Sequence, residues 1–369
     1  MNILIKQLLE WLGIEKMSAE KNQSKVLFVL KRREDYTLDH SYSSEGVSTG
    51  LLNSATFVND MLVRYGVDSK LVVVTDNNDI DREVTSFQPD HVIIEALWVV
   101  PDKFAELVAL HPNVEWVVRY HSEASFIASE GIAMEWTLAY ARNGNVTLAT
   151  NSPRFKIELE SILEAADINR PVAYLPNYYP TQWKDSLILL DCPPVDGYIN
   201  IGCFGAIRPL KNHLAQAIAA LRFAREIGKK LRFHINGNRV ELNGASILRN
   251  LQDLFDGLSN QGHELVSHDW VGHTDFLDIL NGIDIGMQVS LTETFNIVAA
   301  DFLYCNVPVV ASNEVPWLKA GIANPTSSDS MLDQLLNVYR DPYMNIHRNR
   351  SGLDNYVAES REHWLKFLK

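Results

Sequence analysis

Residues 284–312, DIGMQVSLTETFNIVAADFLYCNVPVVAS, contain two apolar strand patterns with a helical pattern between them. The first strand is predicted at 284–290, the helix near 294–305 and the second strand at 307–312. A strand, a helix and a strand in this order predict a right-handed βαβ unit, whose two strands run parallel. Because parallel sheets bind ligands at the carboxyl ends of their strands, the loop before this helix is a candidate ligand-binding segment.

The same alternation of strands and helices extends along most of the chain. Further strand patterns lie at 25–31, 69–76, 89–97, 114–122, 145–152 and 172–177, and then at 199–206, 231–237 and 264–272. A proline-containing stretch without a clear period, 179–198, separates the two series. The predicted fold class is therefore α/β, with two Rossmann-like, doubly wound domains that face each other across a cleft. A length of 369 residues suits two domains of about 150 residues each.

The predicted domain boundaries follow from these series. The first domain is predicted at 25–180, a linker at 181–198 and the second domain at 199–354. Residues 1–24 are predicted to form an amphipathic helix and a short polar linker, and a helix at 355–369 is expected to pack back on the first domain.

Composition narrows the classes of partner. The net charge of −13 disfavours general binding to nucleic acid backbones or anionic membranes, although a local basic cleft stays compatible with it. The three cysteines show no metal-binding spacing, and no apolar run approaches the ~18 residues that span a bilayer. The N-terminal helix lacks the features of a signal peptide, so we expect a cytoplasmic protein whose N-terminal helix packs on the body or on another subunit. A helix lying on a membrane surface is the alternative.

Two carboxylates flank the start of the helix predicted near 294. Glu293 lies just before it and Asp301 lies about 12 Å further along, at 1.5 Å per residue. The free amides and positive dipole end of a helix form an anion site. A diphosphate over the helix start would then have one carboxylate near its sugar and the other near its ribose, since carboxylates accept hydrogen bonds from hydroxyls. The spacing predicts a nucleotide-diphosphate sugar.

At this point the chain resembles the retaining glycosyltransferases of the GT-B fold, especially family 4. The segment ETFNIVAAD is similar to the E-x7-E motif of that family, NVPVVAS to the strand that follows it, and IGCFGAIRPLKNH to its glycine and basic pair. The resemblance covers most of the chain from about residue 25 and is strongest over 199–317. It implies a nucleotide-sugar donor, expected to be a UDP-sugar, and no required cofactor or metal.

The resemblance also implies roles for single residues. Arg208 and Lys211 would neutralise the donor diphosphate, and Glu293 would contact the donor sugar. The remaining donor-binding positions are Gly46, Gly205, Val271, Gly272, Thr294, Phe295, Asn296, Ile297 and Asp301. Asp301 would bind the ribose, directly or through a water, because it is one methylene shorter than the family's Glu.

In the first domain, the resemblance places His121 beside the donor sugar, and His121 follows a predicted strand. We expect Arg119 and Glu123 beside it, with Glu45 in the glycine-containing loop before the first helix, to bind the acceptor. The pair Asp79 and Asp81 resembles a metal-binding D-x-D, but a solvated turn explains it better.

Each of these residues also has a plainer interpretation. Arg208 and Lys211 could be surface charges, Glu293 a helix cap, Asp301 a solvated helix residue, and His121 a structural histidine bonded to a backbone carbonyl.

The predicted function is transfer of a sugar, with retention of configuration, from a nucleotide-diphosphate sugar to an acceptor hydroxyl. The acceptor could be a glycan, a lipid, a small molecule or a hydroxymethylated pyrimidine in DNA, since RYHSEASFIASEGIAMEW is weakly similar to phage-type glycosyltransferases. A sugar-nucleotide epimerase of the same fold and a non-catalytic nucleotide-sugar binding module are the alternatives.

Overall fold

A computed structural model describes residues 24–31, 50–183 and 197–369, and these residues form two parallel sheets of six strands each. The predicted N-terminal helix lies outside the described residues, apart from Ser24. The loop that carries Glu45 and Gly46 and most of the predicted linker lie outside them as well. Each sheet is covered by helices on both faces, as expected for strands that read as continuous apolar runs.

The first sheet has the strand order β2-β1-β3-β4-β5-β6. Its strands are β1 (Lys25–Lys31), β2 (Asp68–Val74), β3 (His91–Glu95), β4 (Glu115–Tyr120), β5 (Val146–Thr150) and β6 (Ala173–Tyr174). Its helices are α1 (Gly50–Arg64), α2 (Asp79–Phe87), α3 (Pro101–Leu110), α4 (Ala124–Ile127), α5 (Ala133–Arg142) and α6 (Pro153–Ala165). The central strand β1 is buried over five consecutive residues, which shows that both faces of the sheet are covered.

The second sheet has the order β12-β11-β10-β7-β8-β9. Its strands are β7 (Tyr198–Gly202), β8 (Lys230–Ile235), β9 (Glu264–Ser267), β10 (Ile285–Gln288), β11 (Val309–Ser312) and β12 (Ile322–Ala323). Its helices are α7 (His213–Glu226), α8 (Gly244–Leu258), α9 (His273–Leu280), α10 (Ile297–Tyr304), α11 (Ser328–Arg340) and α12 (Pro342–Phe367). Strand β7 pairs with β10 on one side and with β8 on the other. The later strands β11 and β12 are therefore added next to β10, and β9 is added next to β8, so the strand order reverses between β7 and β10. The crevice at the ends of β7 and β10 is the topological switch point, where such sheets bind ligands.

The last helix, α12, joins the two domains. Its first half packs on the second domain, where Asn345 bonds both to the amide and to the carbonyl of Val309. Its last turns lie on the first domain, where the fully buried Trp364 contacts Phe28 at 5.6 Å between ring centroids. The helix begins at Pro342, earlier than the predicted start at 355, because Asp341 caps it and the proline occupies its first turn.

The two domains also contact each other across the cleft. Asn151, after β5, donates a hydrogen bond of 3.0 Å to the hydroxyl of Thr294, and Arg154 of α6 pairs with Glu314 at 2.7 Å. Two Rossmann-like domains that face each other in this way have the GT-B architecture, so the predicted fold class is confirmed. Within the described ranges, no helix is long and apolar enough to cross a membrane.

Candidate active site

The candidate site lies at the switch point of the second sheet. The loop after β7 carries Arg208 and Lys211, and the segment after β10 carries Glu293. A backbone hydrogen bond of 2.9 Å from the Leu291 amide to the Leu210 carbonyl joins the two loops. The side chain of Asn212 fastens them further, because its amide donates to the carbonyls of Val289 and Pro325. These hydrogen bonds hold together two loops that are about 80 residues apart in the sequence.

Lys211 and Glu293 form an ion pair at the centre of this site. The Lys211 Nζ lies 2.5 Å from Glu293 Oε1, and the two side chains are only 16% and 11% exposed. The same carboxylate oxygen accepts a second hydrogen bond, of 3.1 Å, from the Asn296 amide. The Glu293 carboxylate thus bonds to the ammonium group that, by the resemblance, would bind a diphosphate.

Arg208 reaches across the cleft. Its guanidinium lies 4.8 Å from the ring centroid of Phe126 in the first domain, and one nitrogen is 3.4 Å from Glu241. Its Nε is buried and has no hydrogen-bond partner among the described residues, and the same is true of the Thr292 hydroxyl on the same wall. Buried polar atoms of this kind normally bind a partner, so we expect Arg208 and Thr292 to bond to a polar ligand in the cleft.

His121 faces these residues from the end of β4. Its Nε2 bonds to Glu95, a fully buried carboxylate at the end of β3. Burial lowers the pKa of His121, and Arg119 lowers it further, so the ring is neutral near pH 7. One cleft of about 330 Å³ is lined by His121, Ser122, Glu123, Phe126, Arg208, Leu210, Lys211, Thr292, Glu293 and Thr294. The four residues predicted as catalytic thus lie on the walls of a single cleft.

Arg119 does not line this cleft, and its burial counts against the prediction that it binds the acceptor, which stays a prediction. Its side chain is fully buried. It donates to both oxygens of Glu95, to the Leu175 carbonyl and to the Asn177 side chain. Each nitrogen of its guanidinium thus bonds within the protein, and the side chain joins the ends of neighbouring strands.

Glu123 lines the cleft but is already paired. It accepts a hydrogen bond of 2.5 Å from the Ser152 hydroxyl and pairs with Arg154 at 3.2 Å. Since Arg154 also pairs with Glu314, Glu123 belongs to a link between the domains as well as to the cleft wall.

The helix that follows Glu293 begins later than predicted. Helix α10 starts at Ile297, three residues after the predicted start, because Asn296 adopts a left-handed conformation with φ 62° and caps it. The cap is a hydrogen bond of 2.9 Å from the Ala299 amide to the Asn296 side chain. Thr294 and Phe295 therefore precede the helix as loop residues, and the free helical amides begin at Ile297. Phe295 is buried against Trp317.

Asp301 is not the solvated helix residue of the plainer interpretation. It is 1% exposed, and its Oδ1 accepts hydrogen bonds of 2.8 Å from the Tyr179 hydroxyl and from His273 Nε2. His273 is the first residue of α9 and follows the predicted donor positions Val271 and Gly272. The direct contact between Asp301 and a ribose stays a prediction, and His273 is the more exposed member of the pair.

Gly205 has a backbone amide that bonds within the protein, and its contact with the donor stays a prediction. Its φ of +114° suits only glycine, and its amide donates a hydrogen bond of 2.9 Å to the Asn236 side chain. That amide is therefore occupied, and Gly205 shapes the loop after β7.

The D-x-D pair serves the first domain's structure. Asp79 accepts hydrogen bonds from the amides of Thr75 and Asp76, which lower the pKa of its carboxyl, and Asp81 pairs with His111 at 2.7 Å. In the ranges that the structure describes, no three acidic, histidine or cysteine residues cluster as metal ligands would.

The sequence reasoning overlooked three residues of the site: Glu95, His273 and Thr292. Glu95 had left a signal, because it is a carboxylate inside an otherwise apolar strand, and such an acid needs a buried partner. His273 and Thr292 had left none, since their partners or positions depend on the packing of distant segments.

Comparison with known proteins gives a fold relationship. No family model matches the chain, and no curated protein matches it in sequence. Among solved structures, the Burkholderia vietnamiensis alpha,alpha-trehalose-phosphate synthase (UDP-forming) is similar with a TM-score of 0.64 and 11% identity, covering 95% of this chain and 96% of its own. The E. coli trehalose-6-phosphate protein bound with UDP-2-fluoro glucose has a TM-score of 0.61 and 12% identity, with 94% and 99% covered. The Candida albicans trehalose-6-phosphate phosphatase N-terminal domain has a TM-score of 0.63 and 12% identity, with 95% and 98% covered. At these identities the likeness shows the fold, and this chain has the two-domain GT-B fold of those proteins over nearly its whole length.

Proposed function

We propose that the chain is a retaining glycosyltransferase that moves a sugar from a UDP-sugar to an acceptor hydroxyl. The observation that carries the proposal is the convergence of Arg208, Lys211 and Glu293 from one domain with His121 from the other on a single cleft. The cleft lies at a topological switch point, where folds of this kind bind nucleotides.

The second domain would hold the diphosphate. Lys211 and Arg208 supply two positive charges, and the Arg208 Nε and Thr292 hydroxyl supply donors on the same wall. The free amides at the start of α10 add a third group of donors. In this proposal the two cations offset the charge of the diphosphate, so the donor binds without a metal ion.

The reaction would proceed on one face of the sugar. The bond between the anomeric carbon and the phosphate oxygen breaks, and the acceptor oxygen bonds to the same face of that carbon. The acceptor proton passes to the departing phosphate oxygen, so no separate protein base is needed. Arg208 and Lys211 stabilise the charge on the leaving diphosphate, while Glu293 and His121 orient the sugar.

Three similar structures support the choice of donor and outcome. The Burkholderia vietnamiensis enzyme is UDP-forming, and the E. coli protein was bound with UDP-2-fluoro glucose. Glycosyl transfer with retention has been studied on trehalose-6-phosphate synthase. The closer assignment to family 4 and the phage-type resemblance stay predictions.

The acceptor is expected to be a neutral hydroxyl compound. On the first-domain wall, the described residues present Glu123, and the nearby Arg154 is already paired with Glu123 and Glu314. Among the described residues this wall carries an acid and a cation that is already paired, which favours a glycan, a lipid or a small molecule over a polyanion such as DNA.

The test is a donor panel followed by an acceptor panel. Release of nucleoside diphosphate from UDP-, GDP-, ADP- and TDP-sugars would be measured, and the proposal expects turnover with a UDP-sugar. Neutral glycans, lipids, small molecules, a sugar phosphate and hydroxymethylcytosine DNA would then be offered as acceptors, and the anomeric configuration of the product read by NMR. Inversion would contradict the mechanism. Donor isomerisation without acceptor would show an epimerase, and tight donor binding without turnover a binding module.

Lys211→Ala and Lys103→Ala make a matched pair for this test. Lys103 also forms an ion pair, 2.7 Å from Glu106, in which the lysine is 10% exposed and the glutamate 57% exposed. It lies on α3, outside the cleft. Loss of turnover in Lys211→Ala alone supports the proposed site, whereas equal losses in both variants would contradict it.

A further inference from the structure

A buried cluster lies directly behind His121. It consists of Glu95 at the end of β3, Arg119 on β4 and Trp364 on the last helix, and all three are fully buried. Neither the donor site nor the interdomain contacts require a buried ion pair at this place. Such a pair costs desolvation energy and is often no more stable than an apolar replacement, so its geometry relative to His121 deserves an explanation.

The hydrogen bonds of the cluster determine which atom carries each proton. Arg119 NH1 lies 3.1 Å from each oxygen of Glu95 and 3.2 Å from His121 Nε2. An arginine nitrogen is always a donor, and an ionised carboxylate only accepts. NH1 carries two protons, and both oxygens of the ionised carboxylate are placed to accept from it, while Nε2 needs a proton of its own to bond to the same carboxylate. NH1 therefore donates to the carboxylate, and NH1 and Nε2 lie close together because both groups bond to Glu95.

The charge states agree with this arrangement. Burial alone would raise the pKa of Glu95, but Arg119 and His121 outweigh it and hold the pKa below its ordinary value. Glu95 is thus ionised, and the neutral His121 donates from Nε2 to it. The other tautomer would direct the Nε2 lone pair at the carboxylate and is excluded by repulsion. Nδ1, to which no described residue bonds, is then an acceptor.

Trp364 holds the arginine in place. Its ring lies 5.1 Å from the Arg119 guanidinium, and its indole nitrogen donates a hydrogen bond of 2.8 Å to the Pro176 carbonyl. The arginine is also fixed by Asn177 at 2.7 Å and Leu175 at 2.9 Å. A guanidinium held at so many points cannot turn away from Glu95, so the carboxylate remains directed at His121.

We infer that Glu95 and Arg119 are positioning residues that fix His121 as its Nε2–H tautomer, so that Nδ1 accepts a hydrogen bond from a hydroxyl of the donor sugar. The role of the tautomer in sugar binding rests on the proposed function. The tautomer itself does not, and it can be measured in the protein without any substrate.

The first measurement is the protonation of His121 by NMR of protein labelled with 15N-histidine, with the signals assigned by comparison with His121→Gln. The expected spectrum of the native protein shows a protonated Nε2 and an unprotonated Nδ1. In Glu95→Gln, we expect Arg119 to donate to the single oxygen of the new side-chain amide. The NH2 group of that amide then faces Nε2 as a donor, so the proton of His121 should move to Nδ1. Glu95→Asp keeps a carboxylate and should keep the native tautomer. A protonated Nδ1 in the native protein, or no shift in Glu95→Gln, would overturn the inference.

Glu95→Gln leaves a buried arginine without its counter-ion, so a second variant guards against misfolding. Glu95→Gln with Arg119→Gln removes both charges and should populate both tautomers of His121. Thr137→Val is the matched control, because it removes another buried hydrogen bond of the first domain, that with the Tyr120 hydroxyl. The control should lower stability and leave the tautomer unchanged. A change of tautomer in the control would show a general loosening of the domain and overturn the inference.

Kinetics separate the inference from the proposed function. With a UDP-sugar that the native protein turns over, Glu95→Gln should lower kcat by at least ~10-fold, as loss of an orienting partner does, and change the donor KM by less than about threefold. If the native protein turns over no nucleotide sugar, the proposed function fails, while the NMR spectrum still decides the tautomer. If it does turn over donor and Glu95→Gln keeps full kcat, the positioning role fails alone.

Discussion

The ion pair between Lys211 and Glu293 allows a prediction in which two substitutions act in opposite directions. In this structure the Glu293 carboxylate bonds to the Lys211 ammonium at 2.5 Å. We therefore expect a diphosphate that binds Lys211 to displace Glu293. Glu293→Gln removes that competitor and also removes repulsion between a carboxylate and a phosphate, so UDP should bind more tightly. Lys211→Ala removes the attractive charge, so UDP should bind more weakly.

The magnitude follows from the geometry. At 2.5 Å and an effective dielectric constant near 20, the gross attraction is roughly 7 kcal/mol. Desolvation and partial exposure of both side chains offset most of it, which leaves a net coupling on the order of 1–2 kcal/mol. Glu293→Gln should therefore lower the Kd of UDP by about 5- to 30-fold. Lys211→Ala should raise that Kd by about 13- to 160-fold, because hydrogen bonds to charged groups contribute about 1.5–3 kcal/mol.

Turnover should fall in both variants. Each residue acts on charge or orientation in the transition state, and loss of one such group costs on the order of 10²-fold in kcat. Calorimetry with UDP at fixed ionic strength would give the Kd, and release of UDP from a UDP-sugar would give kcat. Glu106→Gln, which breaks the more exposed pair with Lys103 outside the cleft, serves as the control and should change neither quantity. Weaker UDP binding in Glu293→Gln would refute the reasoning, because it would mean that the carboxylate does not compete with the diphosphate.

Three further predictions concern the cap, the domain contact and a histidine. Asn296→Ala should lower the free energy of unfolding by about 1 kcal/mol in denaturant titration, because it removes a helix cap in a left-handed conformation, and Asn296→Gly should recover part of the loss. Arg154→Ala should raise the population of widely separated domains about fivefold in spin-label distance measurements, since a cross-domain ion pair contributes about 1 kcal/mol; an unchanged distance distribution would count against the link. Burial would lower the pKa of His273, but the hydrogen bond and charge of Asp301 outweigh it and raise the pKa. The contribution of His273 to the free energy of unfolding is therefore complete below the pKa that this histidine has in the unfolded chain. It is lost as pH rises through the higher pKa that it has in the folded protein. The stability difference between the native protein and His273→Gln should shrink from pH 5 to pH 9, and a difference that grows with pH would show the opposite linkage.

The parts of the site that the sequence predicts are those set by local patterns at strand ends. The apolar runs and their spacing predicted parallel strands, and strand ends in such sheets converge on one edge. For that reason Arg208, Lys211 and Glu293, each a few residues past a strand, lie together although they are far apart in sequence. His121 is brought to the same cleft by the same rule in the other domain.

The parts that the sequence did not predict depend on contacts between distant segments. Arg119 resembled a ligand-binding residue because it lies two positions before His121 in the sequence. In the structure Glu95 and Trp364 enclose it, and no local sequence pattern predicts these contacts. Asp301 is likewise buried by Tyr179 and His273. The start of α10 moved because Asn296 adopts a left-handed conformation, a choice made by packing between segments and not by helix propensity.

The most direct test of the account is a crystal structure of the protein with UDP bound. The account predicts that the diphosphate lies at the ends of β7 and β10, with Lys211 and Arg208 within hydrogen-bonding distance of its oxygens and Glu293 released from Lys211. A diphosphate bound elsewhere, or one bound there with the Lys211–Glu293 pair intact, would contradict it.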